Sequence, residues 1–317
     1  MAWRVLRRHP FYTAVSLFGI SFTLAVLMLM VAWFQNQFGA RPPLSNAASL
    51  VYLKQLQQKQ LQQDTIWKVD SSRVNGVWQK DSTREIVNNA SWTSQSGFSK
   101  DFLTRFFSAE KLTTAEKITV MTQWHSYDVF SNNKKYNLRT RHVDAAYFTI
   151  FNFKVLKGRT FSPADIDQRA LHIIITADLA RRYFGSLEQA VGEQIVFDNN
   201  NFTVIGIVEE ARTNNEFLNA DVFLPITYID AAKDANGYFG SFVAVVQSRQ
   251  ANAAATLAEI EKITPSIPFL DPSQNNGANF NYMKVKAYDH MQLNALNFLY
   301  ADDANESKRK LLLIVGS

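Results

Sequence analysis

The sequence predicts an α+β protein in which an N-terminal transmembrane helix precedes a large extracytoplasmic domain. The helix is indicated by residues Phe11 to Phe34, a run of 24 residues without a charge, because a helix needs about 20 apolar residues to cross a bilayer. Beyond this run, strand-like alternation and short helical patterns follow one another, which is typical of a mixed α and β domain.

The charges around the apolar run predict its orientation. Arg4, Arg7 and Arg8 precede it, whereas residues 35–40 carry no charge. The excess of basic residues places the N-terminus in the cytoplasm and the later chain on the far side. Residues 1–40 are therefore assigned to the cytoplasmic N-terminus and the first transmembrane helix.

A cleaved signal peptide is the alternative to a membrane anchor. The apolar part of a signal peptide usually runs about 7–15 residues and ends in small residues before the cut. The run here is longer, and the best cut, after Ala40, would leave Phe38 three positions before it. The sequence favours the anchor.

The end of the chain indicates a second membrane segment. Three basic residues, Lys308 to Lys310, precede the apolar residues 311–317. We expect residues 308–317 to be the truncated start of a second transmembrane helix, and the alternative is a short terminal strand or helix packed on the domain. Basic residues on the outer side run against the usual charge bias, but residues 41–307 contain no apolar segment long enough to bring the chain back.

The overall composition excludes several classes of protein. The 317 residues carry a net charge of +5, from 33 basic and 28 acidic residues. This excess is modest and dispersed, so a nucleic-acid partner is not predicted. The chain has no cysteine, which excludes disulfides and thiolate metal sites.

The first extracytoplasmic segment is expected to begin with a short strand, Leu50–Leu53. The Gln-rich segment Lys54–Gln63 is compatible with a continued strand or with a surface helix. Residues Asp64 to Gly97 are polar, and we expect irregular hairpins there. Isolated aromatic anchors are expected at Trp67, Trp78 and Trp92.

The middle of the chain shows clearer signals. Ser99 is expected to start a helix with an apolar face. A hairpin is predicted from the strands Lys117–Phe130 and Tyr136–Val143 with a turn at residues 131–134, and Asp144 is expected to cap an aromatic helix, Ala145–Phe153.

The remaining predicted elements alternate between strand and helix. The predicted strands are Leu171–Thr176, Gln194–Phe197, Phe202–Val208, Asp221–Ile226, Phe239–Gln247 and Tyr282–Tyr288. The predicted helices are Asp178–Phe184, ended by Gly185, and Ala251–Ile263, stopped by Pro265.

A search for chemistry finds no strong motif. The sequence has no P-loop, no H-E-x-x-H and no G-x-S-x-G pattern. The weak candidates are a metal-ligand pair at His142 and Asp144, an S-x-x-K match at Ser108–Lys111 with Ser131-Asn132-Asn133 as a loose second element, and loop acids at Asp165, Asp167, Asp302, Asp303, Asn305 and Glu306. Strand-end, capping and solvated roles account better for these residues, so no catalytic, cofactor or metal site is predicted.

The segments 142–166 and 173–210 resemble the periplasmic core domain of MacB/FtsX-type ABC transporter permeases. The family pattern combines an aromatic helix, L-x-G-R-x-F, an acidic loop, A-x-x-x-F-G, G-x-x-[IV] and F-x-V-x-G-V. The matching positions are Val143, Asp144, Tyr147, Phe148, Leu156, Gly158, Arg159, Phe161, Ala180, Phe184, Gly185, Gly192, Phe202, Val204, Gly206 and Val208.

We interpret these matched residues as structural. Gly158 and Gly206 suit tight or bulged backbone, and Gly185 suits a helix C-terminus. Arg159 either pairs with a loop acid such as Asp165 or is solvated. Phe161, Phe184 and Phe202 suit a core, and Gly192 completes the pattern.

The resemblance implies a non-enzymatic permease subunit of the bacterial inner membrane. It implies a periplasmic domain of two α/β subdomains, with residues 41–141 and 227–307 as a porter-like part and residues 142–226 as an insertion. It also implies a cytoplasmic ATPase partner that hydrolyses ATP, a second permease copy or paralogue, and contact with membrane lipid. The alternative is a transmembrane sensor of the chemoreceptor or receptor-kinase type, and the segment that follows residue 317 would discriminate between the two.

Overall fold

A computed structural model describes residues 10–39, 42–74, 77–131, 134–197, 199–211, 215–229, 237–271 and 279–299. Its helices are α1 (Pro10–Phe38), α2 (Lys100–Phe106), α3 (Tyr147–Ile150), α4 (Pro163–Asp167), α5 (Ala177–Phe184), α6 (Leu187–Ala190), α7 (Ala253–Ile263) and α8 (His290–Leu299). Its strands are β1 (Leu50–Val74), β2 (Val77–Phe98), β3 (Ala115–Thr122), β4 (His125–Ser131), β5 (Lys134–Val143), β6 (Val155–Gly158), β7 (His172–Thr176), β8 (Gln194–Phe197), β9 (Asn200–Val208), β10 (Val222–Pro225), β11 (Phe239–Gly240), β12 (Phe242–Ser248) and β13 (Tyr282–Asp289).

The predicted N-terminal apolar helix is confirmed as α1. Within it, an 18-residue stretch of Ala14–Gln35 has a mean hydropathy of 2.4, and no residue of that stretch is buried against the rest of the protein. Among the described residues, this helix alone is long and apolar enough to cross a membrane. The fold class is confirmed as an apolar helix followed by a mixed α and β domain.

The strands form one connected sheet. Its main path runs β11-β2-β1-β12-β3-β5-β10-β7-β9-β6, while β13 pairs with β1, β4 with β5 and β8 with β9. Most pairs are antiparallel, but β10 lies parallel to β5 and β7 lies parallel to β9. Mixed pairing of this kind lets helices connect neighbouring strands on the sheet faces.

Strand β1 is the most connected strand of the sheet. Its first residues pair with β12 on one side and β13 on the other, so Leu53 faces both Ala244 and Ala287. From Leu56 onward it pairs with β2. Residues Leu50 to Leu53 are fully buried, which explains the apolar start of this strand.

The polar segment 64–97 is not a set of irregular hairpins, so that prediction is wrong. Strands β1 and β2 form one continuous antiparallel hairpin whose pairs run from Leu56 with Ser96 to Val74 with Val77, with one register shift between Gln60 and Leu61. Beyond Gln60, the described residues of β1 pair with β2 apart from a contact of Leu61 with Asn281. At about 3.4 Å per residue, the projecting part is about 45 Å long.

The prediction failed because the described side chains of the projecting hairpin, at residues 64–69 and 82–86, are exposed on both faces. Trp67 is 62% exposed and is not an anchor, while the side chains of Trp78 and Trp92 lie outside the described residues. Where both faces of a strand are exposed, the alternation that marks a half-buried strand is missing. The same pairing resolves the two alternatives for Lys54–Gln63: the segment is a continued strand and not a surface helix.

Two other predicted elements are shorter than expected. The predicted strand 117–130 is divided into β3 and β4 at residues 123–124, and residues 132–133 of its predicted turn lie outside the described part. The predicted helix 145–153 is a single turn, α3, because Asn152 adopts a left-handed backbone with φ of 53°. Asp144 does cap that turn, accepting hydrogen bonds from the backbone nitrogens of Ala146 and Tyr147 at 3.1 Å.

Most of the remaining predictions are confirmed. Ser99 caps α2 by accepting a hydrogen bond from the Phe102 nitrogen at 3.1 Å. Strands β7, β8, β9, β10, β12 and β13 and helices α5 and α7 lie where the sequence predicts them, within a few residues. The predicted strand 239–247 is interrupted at Ser241, and helices α4, α6 and α8 and strand β6 were not predicted.

Two hydrophobic clusters fill the domain. The larger one joins β1, β12, α2, α3 and α7, and the smaller one surrounds β7, β8 and β9 with α5 packed on it. Residues of the predicted insertion, 142–226, contribute to both clusters, for example Phe223 to the larger and Val222 to the smaller. The division into two subdomains stays a prediction.

The two predicted tight glycines lie opposite each other where β6 meets β9. A Cβ at Gly158, whose φ is +73°, would lie 2.1 Å from the carbonyl oxygen of Ile205. A Cβ at Gly206 would lie 2.0 Å from the carbonyl oxygen of Arg159. The two backbones touch here, so neither position has room for a side chain.

Replacing Gly206 with Ala is expected to lower the free energy of unfolding by about 2–4 kcal/mol, because the backbones of β6 and β9 must separate. Gly192→Ala is the matched control: Gly192 has φ of +96° but nothing within 4 Å of a new Cβ, so it should lose only about 1–2 kcal/mol. Urea unfolding of the chain in detergent micelles, followed by tryptophan fluorescence, measures both. Equal losses would contradict the steric explanation.

Candidate functional site

Arg159 is paired and not merely solvated. Its Nη1 and Nη2 lie 2.5 and 2.9 Å from the two carboxylate oxygens of Asp165. The same carboxylate accepts from the backbone nitrogen of Ser162 at 2.8 Å and from its hydroxyl at 2.6 Å, and it lies 2.7 Å from Nδ1 of His172. These contacts, the Arg159 guanidinium above all, hold the pKa of Asp165 well below its usual range. Asp165 therefore fastens α4 to β6 and to the start of β7.

The other matched residues lie in the framework. Phe161 and Phe202 are buried, Phe184 is partly buried, and Gly185 ends α5 with φ of +88°. Gly192 donates its backbone N–H to Val204 at 2.8 Å. The residues that set the predicted orientation, Arg4, Arg7 and Arg8, and the predicted second membrane segment, 308–317, lie outside the described residues.

The weak chemical candidates are not brought together. Burial lowers the pKa of His142 to about 4, with a smaller contribution from His125. The carboxylate of Asp144 is occupied by Thr119, Val120 and its own helix. Among the described residues, no three His, Cys, Asp or Glu side chains converge as a metal site. Ser108 accepts from Lys111 through its carbonyl in a turn, and residues 302–306 lie outside the described part.

Hydrogen bonds and an ion pair from several distant parts of the chain instead meet at residues 215–218, which we call the clasp. Asn215 donates through Nδ2 to the hydroxyl of Tyr52 at 3.1 Å. Glu216 forms an ion pair with Lys54, with Oε1 and Nζ 2.6 Å apart. The clasp thus holds Tyr52 and Lys54, two residues of β1 that are two positions apart, and no sequence motif marks it.

The opposite side of the clasp is bound by Tyr147, one of the matched residues, and by Arg141, which directly precedes the matched segment. The buried Tyr147 donates its hydroxyl to the carbonyl oxygen of Phe217 at 2.8 Å. Arg141, only 2% exposed, donates to the carbonyl oxygens of Thr122 and Glu216. A guanidinium that bridges two carbonyls fixes strand spacing, because leaving a buried charge unpartnered is costly. One signal was available: alternation along β5 puts Arg141 on the same face as the buried Val143.

The connection from α1 to β1 is also fastened. Asn46 donates through Nδ2 to the carbonyl oxygen of Ile150 at 2.9 Å, and Asn152 donates to the hydroxyl of Ser45 at 2.7 Å. Leu44 is buried. Helix α8 packs beside the end of α1, where burial lowers the pKa of His290 against a smaller opposing interaction with the Gly39 backbone. Residues 45 and 46, which precede β1, are therefore held against residues 150–152.

Comparison with known proteins identifies relatives. A family model described as the MacB-like periplasmic core domain matches residues 13–263. The pyoverdine export ATP-binding/permease protein PvdT of Pseudomonas syringae pv. syringae is 28% identical over 109 residues, which is 34% of this chain. That match spans only 17% of the relative's length.

Two solved structures share a similar arrangement. A domain of a Porphyromonas gingivalis protein described as a permease has a TM-score of 0.47 at 16% identity, covering 78% of this chain and 92% of that one. The periplasmic region of MacB from Actinobacillus actinomycetemcomitans has a TM-score of 0.42 at 18% identity, covering 60% of this chain and 79% of that one.

Asp165→Asn is expected to lower the free energy of unfolding at pH 7 by about 2–3 kcal/mol, because several charge-assisted hydrogen bonds weaken together. Since the folded pKa lies below the unfolded value of about 3.9, this stabilisation is present above pH 4 and is lost as the pH falls further. Urea unfolding at several pH values should show the difference between wild type and variant shrinking below pH 4.

Asp128→Asn serves as the control for this prediction. Asp128 also pairs with a cation, Lys135 at 2.8 Å, but both side chains are exposed, so solvent screens the pair and only a small change is expected. A difference for Asp165→Asn that persists unchanged to pH 2.5 would contradict the role assigned to that carboxylate.

Proposed function

The chain belongs to the MacB-like family of ABC transporter permeases, and from this premise we propose that it relays the ATP-driven motion of a separate cytoplasmic ATPase to its extracytoplasmic domain. The observation that carries the proposal is the short interval between α1, which ends at Phe38, and β1, which begins at Leu50, with residues 45–46 of that interval bonded to the domain. An apolar helix that is followed within 12 residues by the most connected strand of the domain suits mechanical transmission.

The contacts support a short and stiff path. The segment between α1 and β1 is held by Asn46 and Ser45 against residues 150–152. A displacement of β1 would then move β12, β13 and β2 through the paired backbones, and the clasp through Tyr52 and Lys54. Packed interiors transmit displacement because they have low compressibility.

The proposed setting is the bacterial inner membrane. We place the N-terminus with Arg4, Arg7 and Arg8 in the cytoplasm and the domain in the periplasm, in contact with lipid through α1. The division into a porter-like part, 41–141 with 227–307, and an insertion, 142–226, belongs to this proposal. The family match favours the permease over the sensor that the sequence left as an alternative.

The proposed partners are an ATPase and a second permease subunit, identical or paralogous. The sequence contains no P-loop pattern, so ATP is assigned to the partner and no cofactor or enzymatic activity is assigned to this chain. The PvdT relative is an export protein by its name, and export or extraction of a substrate is the transport role that we propose here.

The orientation can be tested with a single cysteine, because residues 1–317 contain none. Ser82→Cys lies on the exposed surface of the projecting hairpin, and we expect a membrane-impermeant maleimide to label it in intact spheroplasts. The labelled protein should remain in the membrane after a carbonate wash, which distinguishes an anchor from a cleaved signal peptide.

Ala244→Cys is the matched control, because Ala244 is 1% exposed and should react only after denaturation. If Ser82→Cys reacts only after the spheroplasts are lysed, the proposed orientation is wrong.

The relay can be tested by loosening the clasp. In the full transporter with its ATPase, spin labels on Ser82→Cys of two permease copies should report an inter-label distance that changes with ATP and vanadate. Asn215→Ala removes the bond to Tyr52 and is expected to abolish most of that change while ATP hydrolysis continues, because the cytoplasmic side is untouched.

Asn137→Ala provides the comparison, since Asn137 also bonds through its side chain, to Ser126 and Asp128, but on an exposed hairpin. It should leave the distance change intact. A relay through the clasp would be excluded if Asn215→Ala preserved the full distance change.

A further inference from the structure

A groove of about 680 Å³ runs along strand β13 between helices α7 and α8. Six consecutive residues of the strand, 284–289, line it together with residues of both helices. Because successive strand residues point to opposite faces of a sheet, a groove that touches all six lies along the edge of the strand and not on one face. At about 3.4 Å per residue, this edge is about 20 Å long.

That edge of β13 has no strand beside it in the described part of the chain. Strand β13 pairs with β1 on its other edge, and among the described residues no hydrogen bond outside that ladder reaches the backbone of residues 284–287. The backbone groups of alternate residues in a strand point to each edge, so a row of N–H and C=O groups opens into the groove. Such a row is a template for another extended chain.

Strand β13 presents two different faces beside this edge. Lys284 and Lys286 lie on one face, which we call the even face, whereas Val285 and Ala287 lie on the opposite, odd face. Val285 is buried. Lys284 is exposed, and neither lysine forms an ion pair with another described residue. The even face therefore carries two unpaired positive charges, and the odd face is apolar.

Helix α7 covers the odd face. The hydroxyls of Thr256 and Ser248 lie 2.7 Å apart, which fixes α7 against β12. Ser248 shares a face of the sheet with Val246, and the strand register continues that face through Val51 to Asp289 of β13. Three apolar side chains of α7 line the groove on this side: Ala254, Leu257 and Ala258.

The charges of the groove differ between its two sides. The two carboxylates in its lining are Glu261, on α7, and Asp289, on the odd face, so the odd side is negative and the even side positive. An added strand would place side chains directly opposite Lys284 and Lys286, where cross-strand attraction favours acidic residues. Acidic side chains on the odd side would instead meet the carboxylate of Glu261.

The same lysines disfavour a second copy of this strand as the occupant. An antiparallel copy centred on Val285 would bring Lys284 of each chain opposite Lys286 of the other. Like charges directly opposite each other destabilise a sheet, and lysines on edge strands protect many proteins from pairing with themselves. The groove therefore favours a different segment, one of opposite charge.

We propose that this groove binds an extended segment of a partner polypeptide, which adds as a strand to the free edge of β13. The segment is about five or six residues long, with acidic side chains at alternate positions against Lys284 and Lys286. Small apolar side chains lie between them, beneath α7. The site is independent of the proposed relay, because binding needs neither ATP nor a second permease subunit.

The test is fluorescence anisotropy with the full chain in detergent micelles and a labelled hexapeptide of alternating glutamate and valine, for which we expect saturable binding. A peptide with three glutamates followed by three valines should bind roughly five-fold more weakly, because it cannot place all its acids on one face of a strand. Absence of saturable binding at millimolar concentration, or equal binding of the two peptides, would overturn the proposal.

Backbone methylation separates strand addition from attraction by charge alone. In an added strand, the amides of the glutamates point to one edge and those of the valines to the other. N-methylation of the set that points to β13 should weaken binding roughly ten-fold, while N-methylation of the other set should leave most of the affinity. Two methylated peptides of equal affinity would exclude strand addition.

Charge reversal locates the site. Lys286→Glu is expected to weaken binding of the acidic peptide roughly ten-fold. The double variant with Lys284→Glu is expected to bind a peptide of alternating lysine and valine, which the unaltered groove should not bind. Because general damage to the fold cannot create a new preference, failure of the double variant to bind the lysine peptide would overturn the proposal.

Lys262→Glu is the matched control for charge. Lys262 is exposed on α7 but does not line the groove, so its reversal should leave both affinities unchanged. An effect equal to that of Lys286→Glu would show that net charge alone governs binding, and the proposal would fail.

Two further results would assign the groove to another occupant. A dimer of the chain alone, detected by light scattering and dissociated by the acidic peptide, would identify a second copy. Peptide binding that appears only after deletion of residues 300–317 would identify the end of this chain. Either result would overturn the proposal of a partner polypeptide.

Discussion

Strand β1 has to serve three neighbours at once, and the rest of the domain is arranged around that constraint. The buried side chains of its first four residues, Leu50 to Leu53, pack in the larger cluster, while the backbone of these residues pairs with β12 and β13. A strand that is paired on both edges and buried on both faces cannot slip by one residue without breaking two hydrogen-bonded ladders and repacking both faces. The register of this part of the sheet is therefore set at the start of β1, the first strand after α1.

Buried charges act in this domain as fasteners between neighbouring elements, whether these are distant in sequence, as for Arg141, or close, as for Asp165. Arg141 joins carbonyls from residues 122 and 216, and Asp165 collects Arg159, Ser162 and His172. Such groups contribute less net stability than apolar residues of the same volume would, because their desolvation offsets their attraction. What they supply is geometry: each one has a single arrangement that satisfies its partners, so the joined segments keep one relative position.

The features that could be predicted from the sequence are those encoded locally. The uncharged run of α1, the three isoleucines of β7 and the glycine that ends α5 carry their information within a few residues. Helix α8 was missed although a local signal exists, since Asp289 accepts from the Gln292 nitrogen at 2.8 Å. The clasp could not be predicted from the sequence, because its partners lie 70 or more residues away along the chain.

The projecting hairpin shows most clearly why pairing overrides local pattern. Its outer side chains include Trp67, Val69 and Ile86, which the cross-strand register places on one face and which are all more than half exposed. An isolated two-stranded hairpin is marginally stable in water, yet here its root is continuous with the strands of a buried sheet. The root removes most of the entropy that closing the hairpin would otherwise cost, so each further pair adds to an existing ladder. Because the buried start of β1 and its part of this hairpin belong to one strand, a small rotation at the root becomes a large displacement about 45 Å away, which gives the proposed relay its lever.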